Sequence, residues 1–405
     1  MSARLAAVLL TAGLWAACAG PGTPGPVSFS QPVVESATDV ADVDATVALT
    51  TGLLLAANTS RDELWRTLEE RLGPRAARTA HGLVVTSSSR APTVTLAVDL
   101  RDLSVCRDPA AGVVVGEPPR VLGCGARGLA MLAAFVLAVE RTDDVALLVV
   151  DDDAVAAPAQ AWVAGGGGIV RHDDRDVFDL GVVDAGVLDL RLRLAGDGAD
   201  LDTVVAAAGR ALAWRGPVRL PRVLQDRDAL LPRGPWPMAG DPAERLAASS
   251  SSADLVRARC RLQSPPTPSL ARLRCHVLPG VREDDVVADV LHAIADPTVL
   301  VEREAVTPPT STSWDAPLVQ AIHRRLADDG VLVAPMLEVQ PRGSLCARWR
   351  QGGAACVSGS PLALHPAARG TVGTAAESVD VQELGRLVGR VDGVLRGLRR
   401  STEGG

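Results

Sequence analysis

The sequence predicts an α/β fold in which a small β-α-β-β-α-β unit is inserted into a larger α/β domain. Three observations lead there. Up to about residue 184, β-branched runs alternate with helix-patterned runs, the order that builds helices onto a largely parallel sheet. From Gly186 the runs switch to apolar–polar alternation, as in strands with one wet face. After Trp314 the first pattern returns.

Taken in order, Asp42 to Ala57 (DVDATVALTTGLLLAA) and Ser60 to Leu72 read as helices. Ser60 with Glu63 three residues on has capping-box spacing, which satisfies orphan backbone N–H groups at a helix start. HGLVVTSSS and TVTLAVDL are β-branched strand runs. A Gly/Pro-rich loop leads to RVLGCGARGLAMLAAF, a helix Leu129–Arg141 and a strand Val145–Val150. GVLDLRLRLAGDG then alternates as a half-exposed strand, and Leu201–Trp214 follows as a helix. Beyond a loop region holding Ser249–Ser252 come DLVRARCRLQS, LARLRCHVLPG, a helix Glu283–Ala295 and the strand TVLVEREAV. That order makes a ferredoxin-like open sandwich with helices on one side. The chain closes with a helix Val381–Leu398. The larger domain is expected over 41–184 and 306–400, and the insert over 185–305.

Composition narrows the function classes. A chain of 405 residues accommodates two domains, and 47% hydrophobic against 22% charged is a folding composition. The net charge of −7 carries no basic stripe, so nucleic acid is not an expected partner. All 41 basic residues are Arg and aromatics make up only 2%, so the core falls to Ala, Val and Leu.

The first 18 residues, MSARLAAVLLTAGLWAAC, hold one Arg, an apolar run from Leu5 to about Ala17 and small residues before Cys18. That run is too short to span a bilayer and reads as a signal peptide. Ala16-Ala17-Cys18 resembles a lipobox, in which Cys18 is lipidated and becomes the N-terminus. Trp15 stands where that motif has Leu, Val or Ile, so plain cleavage stays open. Residues 19–40, starting AGPGTPGP, read as a tether. The expectation is an exported chain, either a membrane-anchored cell-envelope lipoprotein or a soluble secreted protein. Six further cysteines fall into sequence-local pairs, Cys106 with Cys124, Cys260 with Cys275 and Cys346 with Cys356. Disulfides suit an oxidising compartment, although six cysteines permit fifteen connectivities. Without a CxxC or a Cys/His cluster they do not read as zinc-finger ligands.

Gly123-Cys124-Gly125-Ala126-Arg127-Gly128 is a literal G-x-G-x-x-G opening a helix. A dinucleotide fingerprint needs a hydrophobic strand directly before it and an acidic residue after the next strand. Asp151-Asp152-Asp153 supply the acid, but GEPPRVL offers two prolines and three residues of strand. Dinucleotide binding therefore ranks third among the readings.

From about Asp42 to Leu398, segment order and wording resemble the di-zinc metallopeptidase and amidohydrolase family of aminoacylases, carboxypeptidases and succinyl-diaminopimelate desuccinylases (peptidase family M-twenty). TVTLAVDLRDLSV is similar to its strand ending in His-x-Asp, and VLGCGARGLAMLAAFVLAV to its Gly-Arg-Gly-Ala-x-Asp-x-Lys-Gly turn and helix. ALLVVDDD resembles the strand with the acidic pair, GVLDLRLRLAGDG and ARLRCHVLPGVREDDVVADVL the lid, and ESVDVQELGRLVGRV the closing helix. The resemblance implies a zinc-peptidase-like catalytic-type α/β domain, with the insert as a lid often used for dimerisation. It also implies two zinc ions on His and carboxylate ligands and a Glu general base that activates the shared water.

Carried over residue by residue, that ligand set is degenerate. The His of His-x-Asp falls on Asp99 and the Asp that orients it on Arg101. The bridging Asp has no counterpart, because Ala126 passes directly to Arg127-Gly128. The Glu pair falls on Asp151, Asp152 and Asp153, the next acidic ligand on Ala164, and the lid His on Asp197. The last His ligand meets only Val372, Gly373 and Thr374; His365 comes nearest and reads as a loop residue. The expectation is a kept scaffold with a dismantled metal site: no cofactor, or zinc if the family chemistry survives. The chain would be a binding or structural module, with the interdomain cleft open to a peptide-like ligand and the lid to homodimerisation. The rival is an active hydrolase of peptides or N-acyl amino acids with one metal on Asp99, Asp152 and Asp153, a set that suits Mg²⁺, Ca²⁺ or Mn²⁺ better than zinc.

Overall fold

The computed structural model describes residues 37–86, 92–101, 110–151, 155–165, 168–172, 175–196, 200–230, 256–339, 344–363, 374 and 376–403. The residues read as signal peptide and lipobox, with Cys18, lie outside this set, as do most of those read as a tether.

The chain opens with α1 (Ala37–Thr59) and α2 (Arg61–Leu72). Ser60 Oγ accepts from the Glu63 N–H at 3.0 Å, while the Glu63 carboxylate turns to Arg66, so half of the capping box forms. The first part of the large domain continues with β1 (Ala76–Thr79), β2 (Gly82–Val85), β3 (Val94–Asp99), β4 (Val113–Val115), β5 (Arg120–Leu122), α3 (Ala126–Arg141), β6 (Val145–Val150), β7 (Gln160–Ala164), β8 (Ile169–His172) and β9 (Arg175–Asp184). The insert comprises β10 (Gly186–Leu194), α4 (Leu201–Ala213), α5 (Arg222–Leu230), β11 (Cys260–Leu262), β12 (Leu270–Val277), α6 (Glu283–Ile294) and β13 (Val299–Thr307). The return passes through β14 (Thr310–Ser311), α7 (Pro317–Asp328), β15 (Val331–Glu338), α8 (Leu345–Gln351), β16 (Ala355–Ser358), β17 (Ser378–Asp380) and α9 (Val381–Glu403).

The large sheet runs β1-β2-β6-β3-β7-β16-β9-β14, with β8 and β15 also joined to β9. It is mixed rather than mostly parallel. Its centre, β6-β3-β7-β16, is parallel, whereas the hairpins β1–β2 and β8–β9 add antiparallel strands on either side. Connections as short as Ala80-His81 can only join antiparallel neighbours.

Alternation along β3 sends Leu96 and Val98 to one face and Ala97 to the other. On the first face lies α3, buried at every position from Leu129 to Val139. A helix apolar on all sides belongs inside a protein; α3 packs against both α1 and α9 as well as the sheet. Phe135 of α3 meets Trp162 of β7 edge-on at 5.7 Å between centroids, and the indole N–H donates to Gly359 O at 2.9 Å. The second face is covered by Leu345, Cys346 and Trp349 of α8.

The insert sheet, β11-β12-β10-β13, is antiparallel throughout. Leu188, Leu190 and Leu192 pack with α4 and α6 into a second core. The other face is a grid of ion pairs, among them Arg274–Asp189 at 2.7 Å and Arg272–Glu304 at 3.3 Å. Strand β11 is shorter than its alternating run suggests, yet Cys260 sits opposite Cys275 in register and the two form a disulfide. A second disulfide joins Cys346 and Cys356. Cys124 is also disulfide-bonded, and Cys106 lies outside the described residues.

Buried Glu383 of α9 accepts from the Ala363 N–H at 3.2 Å and from Arg390 at 3.0 Å. Burial pushes its pKa up, but Arg390 and then Arg386 outweigh burial and leave it below its ordinary 4.5. A depressed carboxylate stabilises the fold above its unfolded pKa and loses that contribution as pH falls through the folded pKa. Glu383→Gln is therefore expected to flatten the fall in stability below pH 4.5 in urea titrations at stepped pH. Trp162→Ala is expected to cost about 3–5 kcal/mol in the same assay at neutral pH.

Candidate functional site

In open α/β sheets, ligands bind beyond the carboxyl ends of the parallel strands. Here β3 lies between β6 and β7, with Asp99 level with Val150 and Val98 level with Ala164. Asp99, Asp151 and Ala164 therefore end three adjacent strands at one edge. Asp152, Asp153, Asp197, His365, Val372 and Gly373 fall outside the described residues.

Asp99 is 3% exposed. Its Oδ1 accepts from the Arg101 backbone N–H at 3.0 Å and from Arg101 Nε at 2.8 Å, and its Oδ2 accepts from Arg101 Nη2. The guanidinium thus grips both carboxylate oxygens, the strongest form of this pair. Asp151 holds its place through its N–H to His81 O at 3.0 Å, and its carboxylate pairs with Arg61 of α2. Ala164 brings only a methyl group to the edge.

The G-x-G-x-x-G turn is also engaged. Gly123 and Gly125 have φ of 146° and 77°, and a Cβ on Gly123 would lie 2.9 Å from that of Ala111. Backbone N–H groups at such a helix start make an anion-binding concavity. In this chain the anion is Glu377. Its carboxylate accepts from the N–H groups of Gly125 at 3.2 Å and Arg127 at 3.0 Å, and its carbonyl accepts from Gly123 at 2.8 Å. Burial pulls the Arg127 guanidinium pKa down, against the opposing pull of Glu377. A cofactor phosphate would have to displace this carboxylate. Glu377 carries no local sequence signal, because it reaches the turn from 252 positions away, delivered by the pairing of β17 with β5.

His81 stands beside this edge in the turn between β1 and β2, where its carbonyl accepts from the Asp151 N–H at 3.0 Å, while His276 Nε2 is 2.7 Å from Arg257 O and His323 meets Trp314 edge-on. Among the described residues no group of three or more His, Cys, Asp or Glu side chains is arranged to hold a metal ion.

No protein-family profile matches the chain, and no curated protein matches its sequence. Solved structures do match. An M20 family metallo-carboxypeptidase from Sulfolobus solfataricus superposes with a TM-score of 0.56 at 13% identity, over 88% of this chain and 99% of its own. The aminopeptidase PepT of Bacillus cereus gives 0.55 at 13% identity, over 88% and 99%. Human carnosine dipeptidase 1 gives 0.54 at 12% identity, over 89% and 98%. The chain has the M20 peptidase fold. The resemblance seen in the segments is thus a likeness of architecture, including the inserted four-stranded unit.

The M20 fold implies a paired-metal centre, and the described residues at this edge do not fit one. Asp99 has both oxygens on a permanent cation, Asp151 leans toward α2, and Ala164 has no donor atom.

No helix among the described residues is long and apolar enough to cross a membrane.

Glu377→Ala removes the cap of α3 and leaves buried N–H groups without an acceptor. A loss of about 1–3 kcal/mol is expected in urea denaturation, with Glu377→Gln milder because the amide oxygen still accepts.

Proposed function

We propose that this chain is a non-catalytic module on the M20 scaffold, exported and anchored through a lipid on Cys18, whose interdomain cleft takes a peptide-like ligand. The observation that carries the reading is the Asp99–Arg101 pair. The positions that the family resemblance gives to a metal-ligating His and its orienting Asp hold an internal salt bridge. A guanidinium stays protonated at any working pH, so it sets a fixed positive charge where a dication would have to sit. Disulfides at Cys260–Cys275 and Cys346–Cys356 support the exported location, since such bonds persist in oxidising compartments. Lid-mediated dimers remain part of the proposal, with the charged edge of the insert sheet as a counterweight.

Zinc analysis of the purified full chain tests the catalytic half directly. The expected result is less than stoichiometric zinc and no rise in melting temperature with millimolar Zn²⁺ or Mn²⁺, because a ligand bound to the folded state must stabilise it. Two zinc equivalents per chain would overturn the proposal. So would turnover of dipeptides or N-acyl amino acids that disappears on Asp152→Ala.

A further inference from the structure

The chain crosses between the large domain and the insert twice, after β9 and after β13. Two crossings alone make a hinge, since a few residues at element ends can absorb a rotation. A third connection runs through side chains. Val223 and Leu224 of α5, with Val256 and Leu278, are at most 8% exposed. They belong to the buried cluster of the large domain, together with Val333 and Leu337 of β15, and α5 packs directly on that strand. Arg227 of α5 donates to Asp179 Oδ1 of β9, from Nε at 3.0 Å and from Nη2 at 2.9 Å. Val223 and Arg227 are one helical turn apart, so the apolar contact and the ion pair share one face of α5.

The same residues are tied to the insert. The Arg219 N–H donates to Val256 O at 2.8 Å and the Gly216 N–H to Ala258 O at 2.9 Å. The segment that leads into α5 therefore runs against the one that leads into β11. A Cβ on Gly216 would lie 3.2 Å from that of Ala258. Val281, between β12 and α6, packs against both the core of the insert and that of the large domain. The seat under α5 is held within the large domain by buried Arg350 of α8. Its Nη1 donates to Asp184, its Nε to Thr312 Oγ1 at 2.9 Å, and its Nη2 to Gly181 O at 2.9 Å and Cys356 O at 2.7 Å.

We propose that α5 is a dock that seats the insert on β9 and β15 and so holds the cleft between the two domains at one width. A rotation of the insert would drag Val223, Leu224, Val256 or Leu278 toward water and pull Arg227 off Asp179. A ligand would then meet a preformed cleft rather than one that closes around it. The dock rests on packing alone and is independent of whether the chain binds a metal or a peptide.

A helix of nine residues does not hold itself in water, so slow amide exchange in α5 reports its docking. Hydrogen exchange read by mass spectrometry on the full chain compares the wild type, Leu224→Asp and Arg227→Gln. Each chain is also made with nitroxides on Leu55→Cys in α1 and Leu291→Cys in α6, both exposed, and pulsed electron spin resonance reads the spread of their separation. The wild type is expected to protect the amides of Arg227 to Leu230 and to give one narrow distance. In Leu224→Asp those amides should exchange at least about tenfold faster and the distance should broaden, while β3, β6 and β12 keep wild-type rates, the signature of local opening. Amides of α5 that exchange like loop tips in the wild type would overturn the dock. So would wild-type exchange or an unchanged distance in Leu224→Asp, or equal acceleration of β3 and β6, which marks general destabilisation. If Leu224→Asp does not fold, Arg227→Gln decides alone by the same readings.

Discussion

A guanidinium taken out of water is expensive, by several kcal/mol even after the protein relaxes around it, unless nearly every N–H finds an acceptor. Arg350 imposes that constraint on the whole centre of the molecule. Burial pulls its pKa down and that of Asp184 up, and in each case the partner's opposite charge pulls the other way. Gly181 has no side chain because Ser358 Oγ and Glu338 Cδ already fill that space, 2.0 and 2.8 Å from where a Cβ would stand. Thr312 must present a hydroxyl rather than a methyl, and Cys356 must turn its carbonyl inward. The join between β9, β14, β15 and β16 is settled by one cation's need for acceptors.

The same economy recurs at the carboxyl edge of the sheet. Asp99 is gripped by Arg101, Asp151 by Arg61, and the glycine turn by Glu377. Each is a place where an M20-fold chain could present charge to a ligand, and each is filled by a charge from the chain itself. Removing Arg101 would leave the buried Asp99 carboxylate alone, whereas the Arg61–Asp151 pair is exposed enough to matter little for stability. The sheet is held by apolar packing, while the described part of its edge is lined by local ion pairs.

Much of the architecture was legible because it rests on local pattern. The period-two run GVLDLRLRL fixes β10, the apolar stretch after Gly128 fixes α3, and Cys260 and Cys275 announce two strands that face each other. The sheet's mixed character was less visible, since AARTAHGLVV reads as strand without saying which side of the sheet it joins. At the site, Asp99 and Arg101 are two residues apart and their pairing could be read directly. Glu377 and Arg350 could not. Their partners lie far along the chain, at Gly125 and Arg127 for one and at Asp184 and Thr312 for the other, and no periodicity marks a residue whose role depends on distant contacts.

The Glu377 cap also bears on the order in which the molecule can be built. Synthesis delivers Gly123 to Gly128 and the whole of α3 long before it delivers residue 377. Until then the buried helix α3 has no anion at its start, and β5 lacks its partner β17. Strand β16, which stands between β7 and β9, arrives equally late. An N-terminal fragment ending anywhere before these pieces would expose apolar surface and unpaired strand edges, the combination that invites aggregation. The large domain is therefore a unit that closes from its tail, unlike the insert, whose sheet and core are complete once β13 is made.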